Sequence, residues 1–248
     1  AVSLIIGATA FADEGMWMIQ DINEALEKNM RARGLKLAAN EIYNDEAPGT
    51  AVSDAVVSIG FYCTGSVISD QGLIITNHHC AYSNIAKLST PEHNYLEDGF
   101  WAMTSEEEIP IEGETVFFLK KVFDVTEEVK GIMKEFRANG KPFGIRKISA
   151  IMEKRYKEAT GMECILSSMW AGEKYYMSVY KTYTDLRLVA APPQSIGYFG
   201  GNQDNWTWPR HNCDFTIYRI YENGKPVTRE KSLKISLAGY HPGSFAMV

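Results

Sequence analysis

The sequence predicts a mainly β fold with helical insertions, on three observations. Short segments of alternating apolar and polar residues recur with Gly- and Asn-containing turns between them, the pattern of antiparallel strands. One stretch, Thr126 to Gly161, breaks that rhythm: charge and a helical period replace alternation. At 45% hydrophobic and 12% aromatic content, the 248 residues carry enough apolar surface for one large or two small cores, so the strands have something to close on.

Taken in order, Ala1 to Ala12 are small and apolar and end in Ala10-Phe11-Ala12 before the charged Asp13-Glu14. That is the pattern of the tail of a secretory signal peptide with an Ala-x-Ala cleavage site, and it is too short to span a membrane. Residues 1–12 are therefore expected to be a leader remnant and 13–248 the folded part, exported to an oxidising compartment where the four cysteines can pair. Gly15 to Arg33 places Met16, Ile19, Asn23, Leu26 and Met30 at helical spacing, and Gly34 ends the helix. A loop at 44–53 leads to strands Ala55–Tyr62 and Thr64–Ser69, a turn at Asp70-Gln71-Gly72, and an apolar strand Leu73–Thr76.

From Ser89 to Gly113 the pattern is irregular, and Tyr95, Phe100 and Trp101 are expected to pack this long loop onto the barrel. Thr115–Val125 reads as strand. The helical excursion at 126–161 is broken at Gly140-Lys141-Pro142, and its second half keeps Ile145, Ile148, Met152 and Tyr156 on one face. Strands resume at Cys164–Met169, Glu173–Tyr183 and Arg187–Ala190, the second alternating Tyr175, Met177, Val179 against Tyr176, Ser178, Tyr180. A Gly-rich loop from Gly197 to Asn205 precedes a last strand, Phe215–Tyr221, turned by Asn223-Gly224. A net charge of −6 without any run of Lys or Arg argues against nucleic-acid binding and against a basic membrane-facing helix.

The densest chemistry lies at Thr76-Asn77-His78-His79-Cys80, seventeen positions downstream of Cys63. A hairpin ending in His-Cys, stapled by a Cys63–Cys80 disulfide, would hold an imidazole still, as a general base requires. This reads as the base corner of a trypsin-like serine peptidase. Zinc ligation by Cys63, His78, His79 and Cys80 is the competing reading, but three of the four are consecutive, whereas structural zinc sites draw on spaced pairs. A plain buried histidine is the other. Such a base needs a carboxylate that fixes its tautomer; Asp214 at the head of a strand ranks first and Asp204, in the loop before it, second, with a turn-capping role as the alternative for either.

His78-His79-Cys80 with Cys63-Thr64-Gly65, and the run from Gly200 through Asn205-Trp206-Thr207-Trp208-Pro209-Arg210-His211 to Asp214-Phe215, resemble the bacterial exopeptidases typified by dipeptidyl peptidases seven and eleven. Asp13-Glu14-Gly15-Met16-Trp17 resembles their mature start. The resemblance implies a trypsin-like double β-barrel peptidase, represented here chiefly by the first barrel, with 13–248 as the N-terminal part of the peptidase domain. It implies a secreted or periplasmic serine exopeptidase that removes dipeptides from free N-termini, works as a homodimer when whole, and needs no metal or cofactor. By the same resemblance His79 is the base, Asp214 its partner, and Asn205 with Trp206 holds the substrate's ammonium.

The family's serine nucleophile, in a Gly-x-Ser-Gly setting much further along, has no counterpart here, since Gly65-Ser66 and Gly243-Ser244 lie in other contexts; the chain is expected to be inactive alone. Cys213 stands where a small residue such as Gly is expected, and its pairing with Cys164 stays open. A trypsin-like endopeptidase and a non-catalytic binding module on a peptidase barrel are the alternatives, and side-chain preference beside the cleaved bond is open between acidic and hydrophobic.

Overall fold

The computed structural model describes residues 17–140, 142, 144–198 and 207–247. In chain order the helices are α1 (Glu24–Ala32), α2 (Ala39–Ile42), α3 (His78–Leu88), α4 (Tyr95–Asp98), α5 (Thr126–Ala138), α6 (Ile145–Thr160) and α7 (Gln194–Gly197). The strands are β1 (Val56–Ile59), β2 (Cys63–Val67), β3 (Leu73–Thr76), β4 (Phe100–Trp101), β5 (Ile109–Ile111), β6 (Val116–Asp124), β7 (Glu163–Met169), β8 (Lys174–Tyr183), β9 (Asp185–Ala191), β10 (Thr216–Glu222) and β11 (Lys225–Pro226). The architecture is mainly antiparallel β with helical insertions, as the alternation predicts. The helical excursion and the strands after it fall within a residue or two of their expected bounds.

The eleven strands among the described residues belong to one sheet, whose main path runs β4-β9-β10-β3-β2-β1-β6-β8-β7. Its middle six strands, β10 to β8, curl until β8 approaches β10, and Lys181 on β8 donates to Glu222 on β10 at 2.9 Å across the closing seam. Inside this barrel Val57, Ile59, Ile74, Phe118, Tyr218 and Ile220 form a buried cluster, joined by Leu186 and Leu188 of the neighbouring β9. Each large apolar side chain sealed there contributes about 1.5–3 kcal/mol relative to exposure.

A second cluster forms outboard, where α5 and α6 cover the far ends of β7 and β8 with Val129, Ile148, Met152, Cys164, Tyr175, Met177 and Val179. One strand serves both clusters because β6 carries a bulge between Leu119 and Lys121. Before it, Val116 and Phe118 face the barrel; after it, the inward set shifts by one and Phe123 packs on the outboard cluster.

Local signals explain the ends. The Asn23 side chain accepts from the Leu26 N–H at 3.1 Å to start α1 at Glu24, nine residues after the Gly15 that the sequence periodicity suggests. Asn223 (φ 53°) and Gly224 (φ 73°) both take the left-handed conformation that a two-residue hairpin between β10 and β11 demands. Two expectations are corrected. Trp101 does not pack the 89–113 loop inward: it is 55% exposed, and of the three aromatics only Tyr95 and Phe100 pack against the barrel core. The strand Ala55–Tyr62 is shorter, because a 3-10 turn occupies 52–55 and Gly60 and Phe61, both at positive φ, turn the chain.

Candidate active site

Strand β3 delivers the chain to Asn77, and helix α3 begins at the next residue, so His78, His79 and Cys80 form a first helical turn rather than the end of a hairpin. The two histidines still diverge, but because successive helical side chains fan by about 100°. His78 is buried, at 1% exposure, while the His79 side chain is 66% exposed. Cys80 is bonded to Cys63 on β2, with a sequence separation of 17. That closure stabilises by about 3 kcal/mol on chain-entropy grounds and anchors the turn bearing His79 to the barrel.

Asp214 lies in the extended segment just before β10, and β10 pairs with β3 so that Thr216 faces Thr76. This register brings residues far apart in sequence together. The Asp214 carboxylate takes the His79 ring at Nδ1 (2.6 Å) with one oxygen and the His79 backbone N–H (3.0 Å) with the other. The Asn77 amide donates to the Asp214 carbonyl (3.1 Å) and to its side chain (3.3 Å). A carboxylate accepting at Nδ1 fixes the tautomer with its proton there, leaving Nε2 with the lone pair a base needs.

His78 plays a different part. Its ring lies against the backbone of Gly197 in α7; a Cβ built on Gly197 would come within 2.6 Å of its Cγ. Burial pushes the His78 imidazole below its ordinary range, against the opposing pull of the Asp214 charge and of the Pro192 backbone. Its Nε2 has no hydrogen-bond partner among the described residues. No signal in the sequence distinguishes this packing role beyond the adjacency of the two histidines.

Cys63, His79 and Cys80 bring possible metal-ligand atoms within 4.8 Å of one another. Both sulfurs are consumed by the disulfide, so neither is available as a thiolate ligand. Cys164 and Cys213 are unpaired, the first buried in the outboard cluster and the second exposed beside Asp214, which answers the open pairing. Ser66 lies within β2, and Ser244 accepts from the His241 N–H at 3.1 Å; neither is hydrogen-bonded to His79 among the described residues. Asp204, Asn205 and Trp206 lie outside the described residues. On the exposed side near the dyad, Phe215 and Trp101 stand with ring centroids 6.1 Å apart.

Residues 12–248 match the family described as peptidase S46. The chain is 42% identical over 255 residues to a dipeptidyl-peptidase 7 of Phocaeicola vulgatus, an alignment covering 96% of this chain and 35% of the relative. It is 40% identical to an Asp/Glu-specific dipeptidyl-peptidase of Porphyromonas gingivalis, covering 99% of this chain and 36% of the relative. Among solved structures, Porphyromonas endodontalis DPP11 in complex with the dipeptide Arg-Asp superposes with a TM-score of 0.85 at 36% identity, covering 94% of this chain and 35% of that one. The chain thus spans about a third of the length of the relatives it matches.

Proposed function

The chain belongs to the peptidase S46 family, and we propose that it supplies the base and the acid of a Ser-His-Asp triad in an exported serine exopeptidase. The enzyme releases dipeptides from the free N-terminus of oligopeptides. His79 takes the proton of a serine hydroxyl contributed from outside these residues and returns it to the leaving amine. Asp214 holds the ring and stabilises the imidazolium formed in between. The observation that carries this reading is the double grip of the Asp214 carboxylate on the ring and backbone of one residue whose side chain is otherwise largely exposed.

In the same proposal Asn205 and Trp206 receive the substrate's ammonium, the amide oxygen accepting its hydrogen bonds and the indole offering a cation–π face. Residues 13–248 form the N-terminal part of the peptidase domain, preceded by a leader at 1–12. The Cys63–Cys80 disulfide fits export to the periplasm or beyond, and the whole enzyme works as a homodimer.

The test is made on the whole protein that carries this chain, with dipeptidyl amides bearing free or acetylated N-termini and either acidic or hydrophobic residues beside the cleaved bond. Free-amine substrates are expected to be cleaved and acetylated ones to be poor. Equal cleavage of both would make it an endopeptidase, and no cleavage of any peptide would leave a binding module. The paired acidic and hydrophobic substrates separate the activities named for the two kinds of relative.

A further inference from the structure

Helix α3 sits on the barrel core through buried Ala81 and Ile85, and its N-terminal turn is held by Asp214; two further attachments lie on one face. Cys80 and Asn84 are four residues apart, so both point at the β1–β2 turn. Cys80 reaches it through the disulfide to Cys63. Asn84, buried, donates its amide to a carboxylate oxygen of Glu114 at 3.0 Å. Glu114 is itself buried, at 8% exposure, at the entrance to β6. It also accepts from the Tyr62 hydroxyl, in a very short contact, and from the Thr115 N–H at 3.2 Å. Tyr62 immediately precedes Cys63, and its ring folds back over Gly60, where a Cβ would come within 2.2 Å of the ring and 2.9 Å of the Glu114 carboxylate.

We propose that Glu114 is a positioning residue for the base: its buried carboxylate clamps the helix that carries His79 to the turn that carries Cys63. The proposal rests on His79 being the base. The disulfide leaves the side-chain bonds of Cys80 free to turn, and the apolar seat of Ala81 and Ile85 keeps the helix on the core without fixing its exact rotation. The Asn84–Glu114 bond, one helical turn further on, removes that rotation, and the Tyr62–Glu114 bond fixes the turn against which the helix is held. A buried carboxylate is costly unless its lone pairs are filled, and two of the three donors around Glu114, Asn84 and Tyr62, come from the segments whose relative position sets the aim of His79.

The experiment compares Glu114→Ala, Glu114→Gln and Asn84→Ala in the whole protein, reading kcat, KM and the downfield proton resonance of His79 Nδ1–H, which His79→Ala assigns by deleting it. Glu114→Ala should lower kcat by about ten- to a hundredfold, the cost of an aim shifted by roughly an ångström, with KM changed by less than about twofold. The Nδ1 resonance should broaden or move upfield. Glu114→Gln, which keeps an oxygen for Asn84, should recover most of both signals, and Asn84→Ala should mimic Glu114→Ala without removing a buried charge. If Glu114→Ala does not fold, Asn84→Ala and Glu114→Gln decide by the same readouts. Folded variants with wild-type kcat, or with kcat lost and the resonance unmoved, would overturn the proposal. Should His79→Ala retain activity, the catalytic reading fails instead, while the resonance still reports whether Glu114 aims the ring.

Discussion

Strands β6 and β8 run through two regions that are held together differently. At the barrel end, helix α3 and the dyad are fastened by a disulfide, by Glu114 with its donors, and by the Asp214 carboxylate. At the outboard end, α5 and α6 are held by an apolar seam of Val129, Ile148 and Met152 against β7 and β8, with ion pairs such as Lys174–Asp124 on the wet side. Of the buried polar and charged side chains among the described residues, only Thr126 lies in the outboard region; Asp54, His78, Asn84, Glu108 and Glu114 all belong to the barrel side. Directional bonds fix where a group points, whereas apolar burial fixes only that it is inside. The region that must aim an imidazole is the one built from directional bonds.

That contrast breaks most sharply at the dyad. In the whole protein, Asp214→Asn should lower kcat by about 10⁴-fold, because an amide leaves the His79 ring free to present the wrong tautomer. Rates measured with a free-amine dipeptidyl amide check this, and a loss of less than about tenfold would mean that Asp214 is not the orienting acid. The outboard region should show the opposite profile. Met152→Ala removes a fully buried side chain and should cost about 2–5 kcal/mol in denaturant unfolding, while the folded variant keeps its kcat. A kcat that fell along with stability would show that the two regions are coupled through β6 and β8.

Next comes the covalent strap. Replacing Cys63 and Cys80 together by alanine should cost about 3 kcal/mol of stability, measured against the oxidised protein by chemical denaturation. If Glu114 and Asn84 hold the helix as described, the His79–Asp214 contact should survive in the folded variant. Its loss would put the disulfide, rather than the buried carboxylate, in charge of aim.

The same contrast governs what could be read from the chain. The outboard helices were legible because a 3.6-residue apolar stripe is local: Ile148, Met152 and Tyr156 announce their face without any knowledge of the partner strands. The pairing of His79 with Asp214 was legible through motif spacing and family resemblance. What was not legible were the features set by distant contacts. Helix α3 follows directly after an apolar strand with no capping side chain on Asn77, so the His-Cys pair read as a strand end. Nothing local in the sequence marks Glu114, since the donors that bury it come from Tyr62 and Asn84, 52 and 30 residues earlier. The expectation for Trp101 followed the general rule that aromatics pack inward, yet the side chain stands exposed against Phe215, next to Asp214 in sequence.

The smallest expected effect separates the two histidines themselves. Burial holds the His78 imidazole below its ordinary value of about 6.5, so between that value and its folded one the unfolded chain binds a proton that the folded chain refuses. Stability attributable to His78 is therefore complete at neutral and alkaline pH and declines as the pH falls below about 6.5, levelling once the folded ring also protonates. The charged group facing it that works against this is Asp214, which attracts the proton; a charged His79 works with it. His78→Phe fills a similar space and cannot titrate, so its unfolding free energy should fall less steeply than the wild type's between pH 7 and 5. In an Asp214→Asn background the attraction is gone, the folded His78 resists protonation more strongly, and the gap between the two slopes should widen. Identical slopes for the wild type and His78→Phe would mean that the ring meets solvent before the chain unfolds, and that its contact with Gly197 does not hold it inside the barrel corner.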